Sequence, residues 1–176
     1  MGIAEILCAG ILALGIGGTP ERGEFACTHV PQIIERSNEF GFSPALMISL
    51  IHHESRWQHR VVSHANACGL TQVLPRYTGG APYPRGAGNP RLTCEQLKDP
   101  RTSIDAGSRA LRYWIQRYGR GNERIGLCGY NAGFRCKPTR TRPALSRAGR
   151  AGMSYARRVL RTAAALEAYV KSNQGR

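Results

Sequence analysis

The sequence predicts a mainly α-helical protein that folds as a single globular domain, with a loop-rich flank and at most a minor sheet. Three observations support this fold class. The 176 residues fit one domain of ordinary size. Apolar residues recur at helical spacing in several stretches, and the alternating Val, Ile and Thr pattern of strands is scarce. A hydrophobic share of 41% excludes a disordered chain.

Residues 1–18 are predicted to form an apolar leader. From residue 3 they read IAEILCAGILALGIGG, which is too short for a membrane span but fits the apolar region of a signal peptide. Ala13-Leu14-Gly15 fits a cleavage site, whereas Glu5 and the lack of Lys and Arg argue against export. The leader is therefore a signal peptide, a membrane-surface anchor or a buried first helix. A polar joint over 19–26 would connect it to the domain, which we place at 27–173.

The helices of the domain are predicted from apolar spacing and from end signals. The first covers 28–40 and ends at Gly41. The second begins with the cap Ser43 and Pro44, and because it is apolar nearly all round we expect it to be central. A loop-rich region is predicted over 75–100. Three further helices are predicted at 105–118, at 122–127 and after a cap at Ser154.

The charge balance predicts an anionic partner. The chain has 25 Lys and Arg against 11 Asp and Glu, a net charge of +14, and the C-terminal third is rich in arginine. Nucleic acid, anionic lipid and acidic polymers all fit such a balance. The sequence has no helix-turn-helix, zinc or RNA-recognition signature, so we expect no specific nucleic-acid partner.

The six cysteines lie at 8, 27, 68, 94, 128 and 136. Loss of the leader would remove Cys8 and leave five, which predicts at most two disulfides and one free thiol. Their spacing does not determine the pairing. The sequence has no CxxC pair and no zinc-site spacing, so we expect no metal and no cofactor.

Glu54 is the candidate catalytic residue. It ends the apolar helix and is followed by Ser55, Arg56 and Trp57, so its carboxyl should be partly desolvated. Desolvation raises the pKa of a carboxyl, and a carboxyl that stays protonated near neutral pH can donate a proton to a glycosidic oxygen. The alternative is a structural ion pair between Glu54 and Arg56 or Arg60.

The run from Glu54 to Pro75, ESRWQHRVVSHANACGLTQVLP, resembles the signature of the soluble lytic transglycosylase family. That signature reads E-S-x-W/F, then S, then A-x-G-L-x-Q-x-x-P. The family's Y-N-A-G stands at 130–133, and its late Y-V-x-x-V-L is echoed at 154–160. Its block L-x-D-P-x-x-N-I-x-x-G is echoed by Leu97, Asp99, Pro100, Ile104 and Gly107. The resemblance covers about residues 30–165.

This resemblance implies an α+β lysozyme-like fold and a peptidoglycan lytic transglycosylase. Such an enzyme cleaves the β-1,4 bond between N-acetylmuramic acid and N-acetylglucosamine and forms a 1,6-anhydromuramoyl end. Glu54 matches the family's single general acid and base. The resemblance implies substrate contacts for five further residues, which are Ser63, Gly69, Gln72, Tyr130 and Asn131. It also implies that the Tyr130 hydroxyl approaches Glu54, while Asn131 suits a backbone turn as well.

The chain departs from the family pattern in two places. Thr71 replaces the usual apolar residue before Gln72, and the segment RAGRAGMSYARR before the last helix contains no acid. Two alternative functions stay open. A hydrolytic lysozyme would need a second carboxylate near Glu54, which Glu95 could supply by folding back. A basic module could bind glycan or nucleic acid without catalysis.

The resemblance also implies a place and partners. The expected location is the cell envelope, either periplasmic or secreted, with association with a virion as a further alternative. Peptidoglycan glycan strands are the expected substrate, and a phage virion or a secretion or conjugation machinery is a candidate partner. Membrane contact is expected only through residues 1–18, if they are not cleaved. The C-terminal arginines would either help the protein adhere to an anionic wall or form a solvated face without such a role.

Overall fold

Helix α3, Pro44–Ser55, is the central helix of the fold. The computed structural model describes residues 2–79, 91–141 and 143–174. Ser43 caps α3 as predicted, because its hydroxyl accepts a hydrogen bond from the Leu46 amide at 3.1 Å. Every residue from Ala45 to Ile51 is buried, so α3 contributes most of its length to the core. The mainly α-helical fold class is confirmed.

Helix α2, Pro20–Phe40, begins eight residues earlier than predicted and packs against α3. The Thr19 hydroxyl accepts a hydrogen bond from the Arg22 amide, and Pro20 occupies the first turn, where its missing N–H costs nothing. The polar joint predicted at 19–26 is therefore wrong. The predicted end is confirmed, because Gly41 stops the helix with a left-handed φ of 76°.

Helix α1, Ile3–Ala13, packs against α2 and the last helix. Ile6, Leu7 and Ile11 are buried in these contacts. A disulfide joins Cys8 to Cys27 and ties α1 to α2. None of the helices in the described residues is both long enough and apolar enough to cross a membrane. Cleavage of residues 1–18 stays a prediction.

Helices α4, Cys94–Leu97, and α5, Pro100–Tyr113, follow the loop-rich region. A short 3₁₀ turn covers Pro75–Tyr77, and residues 80–90 of the predicted loop lie outside the described residues. Helix α5 begins five residues earlier than predicted, because the Asp99 carboxylate accepts a hydrogen bond from the Thr102 amide. The chain continues from α5 as one wide π-helical turn, Trp114–Tyr118.

Helices α6, Glu123–Ala132, and α7, Arg147–Asn173, complete the domain and pack closely together. Asn122 caps α6, while a 3₁₀ turn at Gly133–Arg135 follows it. Ser146 caps α7, so the predicted start at Ser154 is wrong. Gly149 and Gly152 do not break α7; they let it approach its neighbours. A Cβ on Gly152 would lie 2.8 Å from the Cys128 Sγ.

Pairing of extended segments is limited in the described residues to isolated bridges. Val62 pairs with Cys68, and Cys68 pairs with Val73. In its described part the chain therefore has isolated bridges only, which agrees with the prediction of at most a minor sheet.

Disulfides hold the loops on either side of these bridges. Cys68 is joined to Cys94 and Cys128 to Cys136, so with Cys8–Cys27 the chain has three disulfides. All six cysteines are paired in the chain that keeps residues 1–18, whereas the free thiol was predicted for a chain that has lost Cys8 with the leader.

Candidate active site

Glu54 lies in the last turn of α3, with its carboxyl directed at α7. The Tyr155 hydroxyl donates a hydrogen bond to the Glu54 Oε1 at 2.5 Å. Burial raises the pKa of Glu54 to about 7, and the hydrogen bond from Tyr155 acts in the opposite direction with a smaller effect. Near neutral pH both the carboxyl and the carboxylate forms of Glu54 are therefore populated.

An ion pair does not explain this environment. In the described residues, the cations that take part in ion pairs are Arg36, Lys98 and Arg109 only, and none of them pairs with Glu54. Arg56 and Arg60 are both exposed, and neither contributes to the pKa of Glu54. The chain reverses directly after α3 through positive φ angles, 49° at Arg56 and 62° at Trp57, and the Trp57 side chain is 2% exposed. This reversal packs Trp57 into the core.

Tyr155 is the partner of Glu54 that the sequence interpretation missed. The expected contact between Glu54 and a tyrosine hydroxyl belongs to Tyr155 on α7, whereas the Tyr130 hydroxyl donates to the Thr71 carbonyl at 2.7 Å. Tyr130 also acts electrostatically on Tyr155 and contributes to raising its pKa. The signal for Tyr155 was present as the tyrosine of the SYARRVL run.

Gln72 lies in a tight turn behind Tyr130, with a left-handed φ of 51°. Its side-chain NH₂ donates to two backbone carbonyls, to Val61 at 3.1 Å and to Gly69 at 2.9 Å. The preceding Thr71 is buried, and its hydroxyl donates to the Ser103 carbonyl at 2.8 Å. This hydrogen bond is the physical reason why a polar residue is tolerated at position 71.

Ser63 and Gly69 have structural contacts in this turn region. The Ser63 Oγ accepts a hydrogen bond from the Ala67 amide at 3.0 Å, which is the turn-capping role. Gly69 has a φ of 76°, and a Cβ at this position would lie 1.8 Å from the Leu97 carbonyl oxygen. The close approach at Gly69 is therefore to the end of α4. Both residues shape the loop that presents Gln72.

A groove runs along α6 beside these residues. One part, of about 290 Å³, is lined by Gln72, Tyr130 and Asn131 among others. A second part, of about 490 Å³, reaches Ser146 at the start of α7. Both parts share Tyr77, Ala132, Gly133 and Arg135. Among the described residues, the cations that line the groove are Arg76, Arg135 and Lys137. Glu54 itself does not line either part, but Tyr130 lines the first part and acts electrostatically on Tyr155, the hydrogen-bond partner of Glu54.

Two histidines beside Glu54 bond to other elements. The His53 Nε2 is 2.9 Å from the Thr162 Oγ1 on α7, and the His52 Nδ1 accepts a hydrogen bond from the Gly17 amide at 3.0 Å. Burial lowers the pKa of His53 to about 4, so this ring is neutral at pH 7. The described residues contain no group of three or more side chains that could hold a metal ion.

Comparison with known proteins relates this site to a family. The family model described as Transglycosylase SLT domain matches residues 31–151. Membrane-bound lytic murein transglycosylase C of Glaesserella parasuis is 31% identical over 83 residues, which are 47% of this chain and 23% of that protein. The protein of the same name from Haemophilus influenzae is 30% identical over 87 residues, 49% of this chain and 24% of that protein. The match therefore spans about a quarter of each relative.

A solved structure shows the same fold. It is the X-ray structure of the lytic transglycosylase Slt from Pseudomonas aeruginosa, in the form of an inactive mutant that has Gln in place of a Glu. The match has a TM-score of 0.65 at 20% sequence identity, and it covers 82% of this chain and 24% of that one.

Proposed function

Because this chain belongs to the transglycosylase SLT domain family, we propose that it is a peptidoglycan lytic transglycosylase with Glu54 as its general acid and base. The observation that carries the proposal is the environment of Glu54, which lies partly buried against Tyr155 and has a pKa of about 7. A general acid works best when its pKa lies near the operating pH, because it is then protonated and still a good donor.

The reaction needs only this one carboxyl. The protonated Glu54 donates its proton to the glycosidic oxygen as the bond between that oxygen and C1 of N-acetylmuramic acid breaks. The Glu54 carboxylate then accepts the proton of the C6 hydroxyl while O6 bonds to C1, which closes the 1,6-anhydro ring. Glu54 ends as it began, and no water is consumed. The Tyr155 hydroxyl stabilises the carboxylate between the two proton transfers.

The groove along α6 is the place for the sugars. Gln72, Tyr130 and Asn131 line it next to the Glu54–Tyr155 pair. The Gln72 NH₂ is bonded to backbone, so we assign its amide oxygen to an N-acetyl N–H of the substrate. Asn131 is exposed on α6 and offers both a donor and an acceptor. Ser63 and Gly69 would support binding by holding the Gln72 turn.

Hydrolysis is less well supported than transglycosylation. A hydrolase of the usual kind places a second carboxylate about 5 to 9.5 Å from the first. All eleven acids fall within the described residues, and none of the others contributes to the pKa of Glu54. The candidate partner, Glu95 on α4, forms an ion pair with Lys98, and the Glu95 side chain is 81% exposed.

The disulfides support a location in the cell envelope. Three disulfides in a chain of this size are typical of oxidising compartments, which include the periplasm and the outside of the cell. The relatives reported above are described as membrane-bound. We therefore propose the cell envelope for this chain, with association with a virion or a secretion system as a further prediction.

The test is the Glu54→Gln variant assayed on purified sacculi. We expect it to lose at least about a thousandfold in rate, because an amide cannot transfer the proton. Its circular dichroism and melting should match a folded protein. The matched control is Glu123→Gln, which changes the other acid whose pKa is raised by burial and should keep activity. Wild-type lysis by Glu54→Gln would disprove the assignment.

Mass spectrometry of the released muropeptides tests the reaction type. Transglycosylation yields 1,6-anhydro products, and hydrolysis yields reducing ends that are one water heavier. Reducing-end products from the wild-type chain would replace the proposed activity with that of a lysozyme.

A further inference from the structure

Helix α7 carries five arginines on one face, which we name the arginine stripe. All five side chains are exposed, and they are Arg147, Arg150, Arg157, Arg158 and Arg161. At 100° per residue they fall within an arc of about 100°, opposite the face that buries Tyr155 and Val159. At 1.5 Å per residue the stripe is about 21 Å long.

The charge of the stripe is not compensated within the protein. The sequence has no Asp or Glu between Glu123 and Glu167, and ten Lys and Arg fall in that interval. In the described part of the chain, no arginine of α7 takes part in an ion pair. Arginines three or four positions apart on one helix repel each other, as Arg157 and Arg161 do. An anion bound along the stripe would remove this repulsion.

The stripe begins where the groove ends. Ser146, the cap of α7, lines the far part of the groove together with Arg135 and Lys137. Further along α7, Arg158 lies close enough to Tyr155 and His53 to act electrostatically on both. Positive side chains therefore lie in the groove, at the start of α7 and, about 10 Å further along this helix, near the Glu54–Tyr155 pair.

We propose that the arginine stripe binds the carboxylates of the peptide stems carried by the same glycan strand whose sugars occupy the groove. This proposal rests on peptidoglycan being the substrate. Arginine forms planar, two-pronged hydrogen bonds with carboxylates, and an exposed row of them can bind a series of stems. The stripe would then favour wall that still bears its peptides.

Two other anionic partners fit the stripe less well. Single-stranded nucleic acid is held by aromatic side chains that stack on bases. The residues between the arginines of the stripe are small instead, such as Ala151 and Ser154, so they offer no surface for stacking. Anionic membranes are bound by helices whose large apolar side chains enter the lipid, and the stripe has none.

The experiment compares two variants with equal loss of charge, both in the Glu54→Gln background so that binding is measured without cleavage. The stripe variant changes arginines 147, 150, 157 and 161 to Gln. The control variant changes four exposed arginines without ion pairs elsewhere, at 60, 101, 117 and 124. Arg158 is left intact because it lies near Tyr155.

Binding is measured on Gram-negative sacculi, which lack wall phosphate polymers, and on the same sacculi after their stem carboxylates have been converted to neutral amides with a carbodiimide and ammonia. On untreated sacculi at low salt we expect the stripe variant to bind about tenfold more weakly, and the control variant by about twofold or less. On amidated sacculi the two variants should bind equally. Melting temperatures and circular dichroism check that both variants are folded.

Three outcomes would overturn the proposal. The stripe and control variants could bind untreated sacculi alike, the difference between them could persist on amidated sacculi, or the unaltered stripe could bind single-stranded DNA or anionic vesicles more tightly than untreated sacculi. Product analysis of the protein with Glu54 intact distinguishes failure of the proposed activity from failure of the proposed binding surface. If no cleavage product forms while binding still depends on stems and stripe, the proposed activity fails and the binding surface stands.

Discussion

At the scale of single residues, two opposed effects act on the carboxyl of Glu54. Burial raises its pKa, and the hydrogen bond from the Tyr155 hydroxyl lowers it, with the net value at about 7. The balance matters because, in the mechanism we propose, Glu54 first donates and then accepts a proton. Too high a pKa would weaken the donor, and too low a pKa would leave no proton to donate near neutral pH.

We expect Tyr155→Phe to move the pH dependence of activity. The rate of the wild type should fall as the pH rises through about 7, where the Glu54 proton is lost. The variant lacks the hydrogen bond that stabilises the carboxylate, so the pKa of Glu54 rises and the alkaline limb moves to higher pH. The value of kcat/KM at neutral pH should fall about tenfold, as for one charged hydrogen bond.

The control for this prediction is Tyr169→Phe, fourteen residues further along α7, which should leave the profile unchanged. An alkaline limb of Tyr155→Phe that coincides with the wild-type limb would show that the hydroxyl does not act on Glu54.

The candidate catalytic glutamate could be singled out from the sequence, whereas its tyrosine partner could not. Glu54 is marked by local features, which are the end of an apolar helix and the run that follows it. Tyr155 lies 101 positions away, and apolar spacing alone makes it look like a core residue. It is indeed buried on the core face of α7, and only the packing of α3 against α7 brings its hydroxyl to Glu54.

At the scale of elements, the block from Leu97 to Gly107, which echoes a family motif, supports the run that follows Glu54. Asp99 caps α5 and Pro100 begins it, while Leu97 and Ile104 are fully buried. Gly107 lies against Thr71, where a Cβ would be 2.4 Å from the Thr71 Cβ. The block is therefore a platform for the Gly69–Gln72 turn.

We expect Gly107→Ala to destabilise the protein by about 1–3 kcal/mol, because the added methyl forces α5 away from Thr71. Urea denaturation measures the loss. The neighbouring Ser108→Ala is the control. Its buried hydroxyl has no hydrogen-bond partner in the described residues, so the change should lie within about 0.5 kcal/mol or stabilise. Equal stability of wild type and Gly107→Ala would contradict this packing.

Helix ends that depend on side-chain caps were harder to predict than the helices themselves. The cap Ser43 was predictable because an apolar run follows it directly. Thr19, Asp99 and Ser146 begin helices whose first turns are polar, so apolar spacing starts only after the true beginning. Glycines at 149 and 152 look like breaks in a sequence, but here they permit close packing.

At the scale of the whole molecule, the disulfides connect parts that the sequence leaves separate. Cys8–Cys27 joins α1 to α2, and Cys128–Cys136 closes the segment that lines the groove. Cys68–Cys94 joins the turn region to α4. Three pairs could not be predicted because removal of the leader leaves an odd number of cysteines, and because pairing depends on which helices pack together.

We expect the unreduced protein to show no reactive thiol after unfolding, as counted with a thiol reagent. The Cys8→Ser/Cys27→Ser double variant should lose about 3 kcal/mol of stability, since the cross-link closes a loop of 19 residues in the unfolded chain. One or more free thiols per chain, or a double variant as stable as the wild type, would contradict the pairing of Cys8 with Cys27.

The Cys8–Cys27 link has a consequence for proteolysis. A protease that cuts the chain between α1 and α2 breaks a peptide bond, yet the two fragments stay joined through sulfur. The nicked protein would migrate as one band until a reductant is added, and α1 would keep its place on α2 and α7. In an oxidising environment, therefore, cutting the backbone there does not by itself release the first helix.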